Sequence, residues 1–495
     1  VDRRTFLTGT SAGAVLLAFG CHPHPAPVAA PLEQRGEIRS WLRDAVARLA
    51  GAYPRAAVHA LASTRQRVTA AVDVLGEGVA RSRIDGVVLV VRDASGFREQ
   101  VSSELTAAGV AAAAAALAGK ATLSRALELG AATDAPPLVG VDPRALGDVP
   151  LIGRARAMLG TEAEVSSRIV YTAAVIDVDD AQVWSVGVDR TTDAKAAGHD
   201  RAQRLVRVRR AVTRVAWNGT RPVVAEAARG WRGGLDDETL SADAIGRATA
   251  AALELMTPGT FTDGVRAVAL EPSVAALVVD TATRALLTGA AARLPEVAHR
   301  VVAGAAVAAP VLSLVDDPGA AGAYGGFHFD DDGIPAAPIA LLDGGKLAGR
   351  LDDAVTAGAG HPAGRARRPG HLGRSEPWPS HLVLAGGDAP LDGLLDDGYQ
   401  LAGGVDAVFD ASSDRIVLSI ARAYEVKGGH RTGRVYADVE LVGDLGEVLA
   451  QVAAVAADRD TVPLRDEVDG LPRWRSVDAP GVVTRGLVRA RRRTA

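Results

Sequence analysis

Apolar residues recur at helical spacing at Ile38, Leu42, Val46 and Leu49, which predicts a helix over 36–49 with one buried face. The continuous apolar run Asp85-Gly-Val-Val-Leu-Val-Val-Arg92 predicts a strand buried on both sides. An Ala-rich segment over 98–117 predicts a helix, since alanine has the highest helix propensity. Proline and glycine make 135–150 a surface connection, with a short helix expected over 153–159. Alternation then takes over. Segments 168–177, 182–189 and 204–217 predict three antiparallel strands joined by polar turns, giving a sheet with one polar face. Ser241 is placed to cap a helix running to Met256, with Asp243 in its first turn. Thr257-Pro258-Gly259 ends that helix and marks the passage into a second domain.

Pro272 suits the first turn of the next helix, whose apolar run carries the chain to Gly289. A strand over 309–317 ends in carboxylates, and short strands with Gly-rich turns are expected from there to Tyr436. A last helix over 446–457 precedes an irregular tail. No repeat of fixed period is present. The fold class expected is therefore α+β: an N-terminal α/β domain with an antiparallel sheet (36–257) and a β-rich C-terminal domain (258–495), behind a leader and tether (1–35).

The 495 residues are 48% apolar and 23% charged, the composition of a globular chain with a large core. A net charge of -4 supplies no general attraction for nucleic acid. Arginine is locally dense at 204–214 and 489–493, but no aromatic residues interleave; the first run reads as a strand with a solvated basic face and the second as a polar tail. The start of the chain is more telling. Asp2-Arg3-Arg4-Thr5-Phe6-Leu7 matches the twin-arginine export pattern and precedes a small, apolar run ending at Gly20, too short to span a bilayer. Cys21, the only cysteine, follows it where a bacterial lipoprotein is cleaved and acylated. Ala18-Phe19-Gly20 fits that lipidation site at Gly20 and departs from it at the other two positions. Cys21 to Leu32, rich in Pro and Ala and carrying His22 and His24, reads as a tether. These features predict an exported, periplasmic or cell-envelope protein, with Cys21 as the candidate lipid anchor.

A series of short blocks in the second half carries a family resemblance. In order they are Leu314-Val-Asp-Asp317, Phe327-His-Phe-Asp-Asp-Asp-Gly-Ile-Pro335, Ala340-Leu-Leu-Asp-Gly-Gly-Lys-Leu-Ala-Gly349, Gly364-Arg-Ala-Arg-Arg368, Pro377-Trp-Pro-Ser-His-Leu-Val-Leu-Ala-Gly-Gly-Asp388 and Val439 to Val452. Together they resemble the TldD/TldE family, also called PmbA or modulator of DNA gyrase. Read physically, Gly333, Gly344 and Gly345 suit turns at positive φ, and the aspartates before them can close those turns. Asp330, Asp331 and Asp332 offer carboxylate oxygens to a hard cation, but without the spacing of a calcium loop.

Active members of the family are implied to be zinc peptidases. Two histidines of a His-Glu-x-x-x-His helix and a late cysteine hold the metal, and the glutamate acts as base toward a metal-bound water. Here the helix follows Val274-Ala-Ala-Leu-Val-Val279 and reads Asp280-Thr281-Ala282-Thr283-Arg284-Ala285. Asp280 stands for the first histidine, Thr281 for the base and Ala285 for the second histidine; residues 469–477 contain no cysteine. A relocated site would draw on Glu296, His299 and His328, which lack zinc spacing, as do His361, His371 and His381. Gly9-Thr-Ser-Ala-Gly13 lies inside the leader and cannot form a nucleophile elbow.

The resemblance thus implies a non-catalytic, TldE-like subunit with no cofactor of its own. It would pair with a TldD-like zinc peptidase and hold an extended peptide substrate by sheet-edge pairing. The alternatives are a divergent metallopeptidase with relocated zinc ligands, or an exported peptide-binding protein acting alone.

Overall fold

The computed structural model describes residues 35–71, 76–119, 129–160, 168–190, 197–357, 363–369, 373–468 and 471–491. The leader, Cys21, His22 and His24, together with His361 and His371, lie outside the described residues. The first half is a sheet with helices packed against it. Helix α1 (Arg35–Ala50) buries Ile38, Leu42, Val46 and Leu49, the stripe its spacing predicts. Strands β1 (Arg55–Ala71), β2 (Gly78–Asp93) and β3 (Gly96–Ser102) precede helix α2 (Ala107–Ala118) and the two-residue β4 (Thr133–Asp134). Helix α3 (Asp148–Ala157), strands β5 (Ile169–Asp189), β6 (Ala197–Trp217) and β7 (Pro222–Arg232), and helix α4 (Ala242–Glu254) complete it. The strand order is β3-β2-β1-β5-β6-β7, antiparallel throughout, with β4 joining β6 in parallel.

Several expectations need correction here. Residues 98–102 are not helical: they pair with β2, and α2 starts later, where the Thr106 side chain accepts from Gly109 N. The helix expected over 153–159 starts earlier, at Asp148. β5 is one strand with no turn at 178–181, because its aspartates meet arginines within the sheet. Asp177 pairs with Arg67 and Asp180 with Arg204. Nor do the arginines of β6 form one solvated basic face: they are divided between the two faces of the strand. Arg207, Arg210 and Arg214 are buried, bonded respectively to the Tyr324, Leu235 and Leu159 carbonyls. Ser241 does cap α4, accepting from Ala244 N.

The second half begins with β8 (Gly264–Leu270) and α5 (Pro272–Leu286), then the single-turn α6 (Pro295–Ala298). Short strands follow: β9 (Leu314–Asp316), β10 (Ile339–Asp343), β11 (Lys346–Leu347), β12 (Ala366–Arg367), β13 (Glu376–Pro377) and β14 (His381–Leu384). Long strands then return as β15 (Gly398–Asp410), β16 (Arg415–Lys427) and β17 (His430–Asp444). After α7 (Leu445–Ala450) come β18 (Ala454–Val468) and β19 (Leu471–Ala490). Strands β8, β15, β16, β17 and β19 close into a ring, since β19 pairs with both β17 and β8. The last helix is therefore shorter than expected, and the irregular tail is the strand that completes the ring. Pro472, Pro480 and Gly481 interrupt its alternation, yet Pro472 and Pro480 stay in register with β18. Arg489, read as tail, donates to Glu440 at 2.8 Å.

Polar side chains of β6 lock the halves together. Gln203 donates to the Phe329 carbonyl at 2.7 Å and accepts from His328 N at 2.8 Å. Gly333, at φ 79°, lies close to Ser185 and His199; a Cβ there would sit 2.3 Å from the Ser185 hydroxyl. That hydroxyl bridges His59 Nδ1 at 3.0 Å and His199 Nε2 at 2.8 Å. Burial holds His59 well below the usual histidine range and His199 down to about 4; Arg55 opposes protonation of both, aided by Arg368 at His59 and Arg201 at His199.

Candidate functional site

Helix α5 is positioned from its first turn. Pro272 starts it without wasting an N–H, and Glu271 N donates to the Leu401 carbonyl at 2.9 Å, tying the helix start to β15. Val274, Ala275, Ala276 and Val278 are buried in the C-terminal core. Beside β15 the helix packs closely enough that a Cβ on Gly404 would meet Leu277 at 2.7 Å. The second half of α5 then presents Asp280, Thr281, Arg284 and Ala285.

Asp280 is 1% exposed and serves as an acceptor for two guanidiniums. Arg475, from β19, donates to both of its oxygens, Nη2 to Oδ2 at 2.9 Å. Arg284, one turn on, donates Nε to Oδ2 at 3.0 Å. Asp466 lies 3.0 Å from Arg475 on the far side. The Trp378 ring lies among three guanidiniums, with the carbons of Arg473, Arg475 and Arg284 at 4.6, 5.4 and 5.5 Å from its centre. The charge-assisted bonds and the ring fix this cluster.

Against the cluster lies a pocket of about 440 Å³. Thr281, Arg284 and Ala285 form its helical wall; Glu376 and Trp378 form another, and Ala407 and Phe409 of β15 a third. Three of the residues marked out by sequence are thus brought together, Asp280 behind the wall and Thr281 and Ala285 on it. The Thr281 hydroxyl and Trp378 Nε1 are buried with no hydrogen-bond partner among the described residues.

The other candidates are dispersed. Glu296 and His299 sit exposed on and just after α6, while His328 lies by Gln203 of the first sheet. Among the described residues, no three His, Cys, Asp or Glu side chains come together as a metal-holding group. The Asp330–Asp332 run is occupied by scaffold bonds. Asp330 accepts from the backbone N–H groups of Asp332, Ile334 and Ala366, Asp331 from Arg367, and Asp332 from Ala354 N. Burial and the neighbouring Asp332 push the Asp330 carboxyl up to about 8. Gly344 and Gly345 do turn at positive φ.

The sequence blocks converge on a second buried acid, Asp316. It accepts from Ser380 N and His381 N, each at 2.9 Å, from the Ser380 hydroxyl and from Arg365 Nε. His381 in turn contacts Ser476 Oγ at 2.8 Å, and burial lowers its pKa.

Three residues of the site escaped sequence reasoning as functional groups: Arg284, Trp378 and Arg475. An acid and an arginine four apart on a helix are a readable pair, so Arg284 was findable. Arg475, 195 residues from Asp280, was not.

Residues 263–490 match the profile of the PmbA/TldA metallopeptidase C-terminal domain. A metalloprotease of Synechocystis is 28% identical over 159 residues, which are 30% of this chain and 33% of that protein. A metalloprotease of Methanocaldococcus jannaschii is 28% identical over 160 residues, 31% of this chain and 35% of that protein. The matched stretch is about a third of either relative's length. Across nearly the whole chain, the fold matches a crystal structure named as a modulator of DNA gyrase from Bacteroides thetaiotaomicron. The TM-score is 0.71 at 15% identity, covering 93% of this chain and 99% of that one. It also matches TldE from Thermococcus kodakarensis, with a TM-score of 0.65 at 14% identity, covering 92% and 99%.

Proposed function

From the premise that this chain belongs to the TldD/PmbA metallopeptidase-related family, we propose that it is a non-catalytic, TldE-like subunit that pairs with a zinc peptidase of the same family. One observation carries the reading: the position that would offer the first metal ligand is a carboxylate already bonded to two guanidiniums. The residues present do not fit zinc. The ion binds tightly to imidazole and thiolate donors, whereas Asp280 is saturated, Thr281 and Ala285 supply neither donor, and Arg475 would repel a dication. What the chain retains is a helix, a strand edge and an open pocket, a surface against which an extended peptide can lie.

Co-expression with a family member retaining His-Glu-x-x-x-His and the late cysteine tests this. A stable complex whose peptide cleavage requires both chains, with zinc only in the partner, is the expected result. A chain that stays monomeric beside every such partner overturns it, and stoichiometric zinc in this chain, lost on changing His299 or His328, would restore the relocated-ligand reading. We also propose that the chain is exported through its twin-arginine leader and anchored at Cys21. Metabolic labelling with a fatty acid, abolished in Cys21→Ser, tests the anchor.

A further inference from the structure

We propose that the pocket beside Asp280 is a carboxylate-recognition site, in which Arg284 holds an acidic group of a peptide. This rests on the reading of the chain as a peptide-handling subunit and names the chemistry its pocket selects. The anchor is the state of Arg284. Its Nε is bonded to Asp280 and its guanidinium lies against Trp378, while its terminal nitrogens make no hydrogen bond among the described residues. Its side chain is 30% exposed and lines the pocket. A guanidinium fixed at one edge and open at the other is a preorganised fork for a planar carboxylate. Little rotamer freedom remains to be lost when the ligand arrives.

Two further features fit. Two pocket-lining residues carry a buried polar atom without a partner among the described residues, the Thr281 hydroxyl and Trp378 Nε1, and each can donate to an anion. Ala285, Leu294, Ala407 and Phe409 supply an apolar wall, and about 440 Å³ accommodates two or three residues of a peptide. Glu376, on the wall it shares with Trp378, is the opposing charge, and one of its oxygens is taken by Arg473 at 2.8 Å. Asp280 cannot repel the ligand strongly, because Arg475 and Arg284 both neutralise it.

The carboxylate has two sources, a peptide C-terminus or an Asp or Glu side chain. Titration calorimetry on the full chain separates them with three probes: Ala-Ala-Phe as the free acid, its C-terminal amide, and Glu-Ala-Phe amide. The free acid binding at least tenfold tighter than both amides assigns a C-terminus; binding of the free acid and the Glu-containing amide, but not the neutral amide, assigns any acidic group. In either case Arg284→Gln reduces binding of the acid at least tenfold without changing neutral-amide binding, and Arg284→Lys recovers part of it. Equal binding of acid and neutral amide, no binding of any probe, preference for an added Lys-Ala-Phe amide, or an unaffected Arg284→Gln chain overturns the proposal. Complex formation by the Arg284→Gln chain with the zinc-bearing partner is measured alongside. Retained pairing with lost acid selectivity isolates the pocket, whereas loss of pairing in the unsubstituted chain strikes the subunit reading alone.

Discussion

Two buried aspartate–arginine pairs in the C-terminal half look alike in isolation and differ in everything around them. Asp316 meets Arg365 where the sequence blocks converge; both side chains are at most 1% exposed, and the remaining acceptor capacity is filled by Ser380 and His381. Asp280 meets Arg475 at the emptied motif, where among the described residues it accepts only from guanidiniums and stands behind a 440 Å³ pocket whose lining residues Thr281 and Trp378 each carry a buried polar atom without a partner. The chemical type of a buried pair therefore does not distinguish scaffold from site. What distinguishes them is whether the backbone depends on the carboxylate, and whether polar atoms nearby are left wanting a partner.

The sharpest way to break this comparison is to replace each pair by apolar residues of similar volume. Removing a buried charge's partner costs about 3–5 kcal/mol, whereas replacing both charges together is often neutral or stabilising. Asp316→Leu with Arg365→Met still leaves the Ser380 and His381 N–H groups without an acceptor, so a loss of about 3–5 kcal/mol is expected. Asp280→Leu with Arg475→Met strands no backbone N–H and leaves without partners only the half-buried Arg284 and Asp466, which water reaches, so a loss of no more than about 1 kcal/mol is expected. Denaturant unfolding of both double variants checks this. Equal losses would make the two pairs the same kind of structure.

A third buried polar cluster extends the contrast to pH. His199 ionises near 4 in the folded chain against about 6.5 unfolded, so the unfolded state takes up the extra proton between those values. Stability from this group is full above about pH 6.5 and is lost as pH falls toward 4, by up to about 3 kcal/mol. His59 acts in the same direction. Melting temperatures from pH 7 to 4, compared with those of His199→Gln, isolate the contribution; identical acid profiles would remove the cluster as a pH-dependent lock between the halves. The Asp280 and Asp316 pairs make no contact with this cluster, so their double variants should leave this profile in place.

How much of this was legible in the sequence follows the range of the interactions. The α1 stripe, the Ser241 cap and the Gly333, Gly344 and Gly345 turns are local, and the residue pattern carries them. The aspartates at 177–180 read as a turn because their arginine partners come from other strands; burial turned a turn signal into mid-strand polar residues. β19 read as a tail for a similar reason, since its prolines and glycines hide an alternation that only its neighbours reveal. At the site, Asp280, Thr281 and Ala285 were marked out by the family resemblance of the apolar run before them, while Arg475 and Trp378 arrive from a distant strand and loop.

The smallest expected effect is also the finest test of the distinction. Thr281 and Ser380 are both buried hydroxyls beside a buried aspartate. Ser380 donates to Asp316, so Ser380→Ala removes a bond to a charged acceptor and is expected to cost about 1.5–3 kcal/mol. Thr281 has no partner among the described residues, so Thr281→Val keeps its shape and removes a desolvated hydroxyl, with an expected gain of about 1 kcal/mol. A polar group retained at a stability cost fits a site that waits for a ligand, and the same substitution should then weaken binding of an acidic peptide while the chain itself becomes harder to unfold. If Thr281→Val instead destabilises the chain as Ser380→Ala does, the hydroxyl belongs to the scaffold, and the pocket loses one of the two donors offered to its ligand.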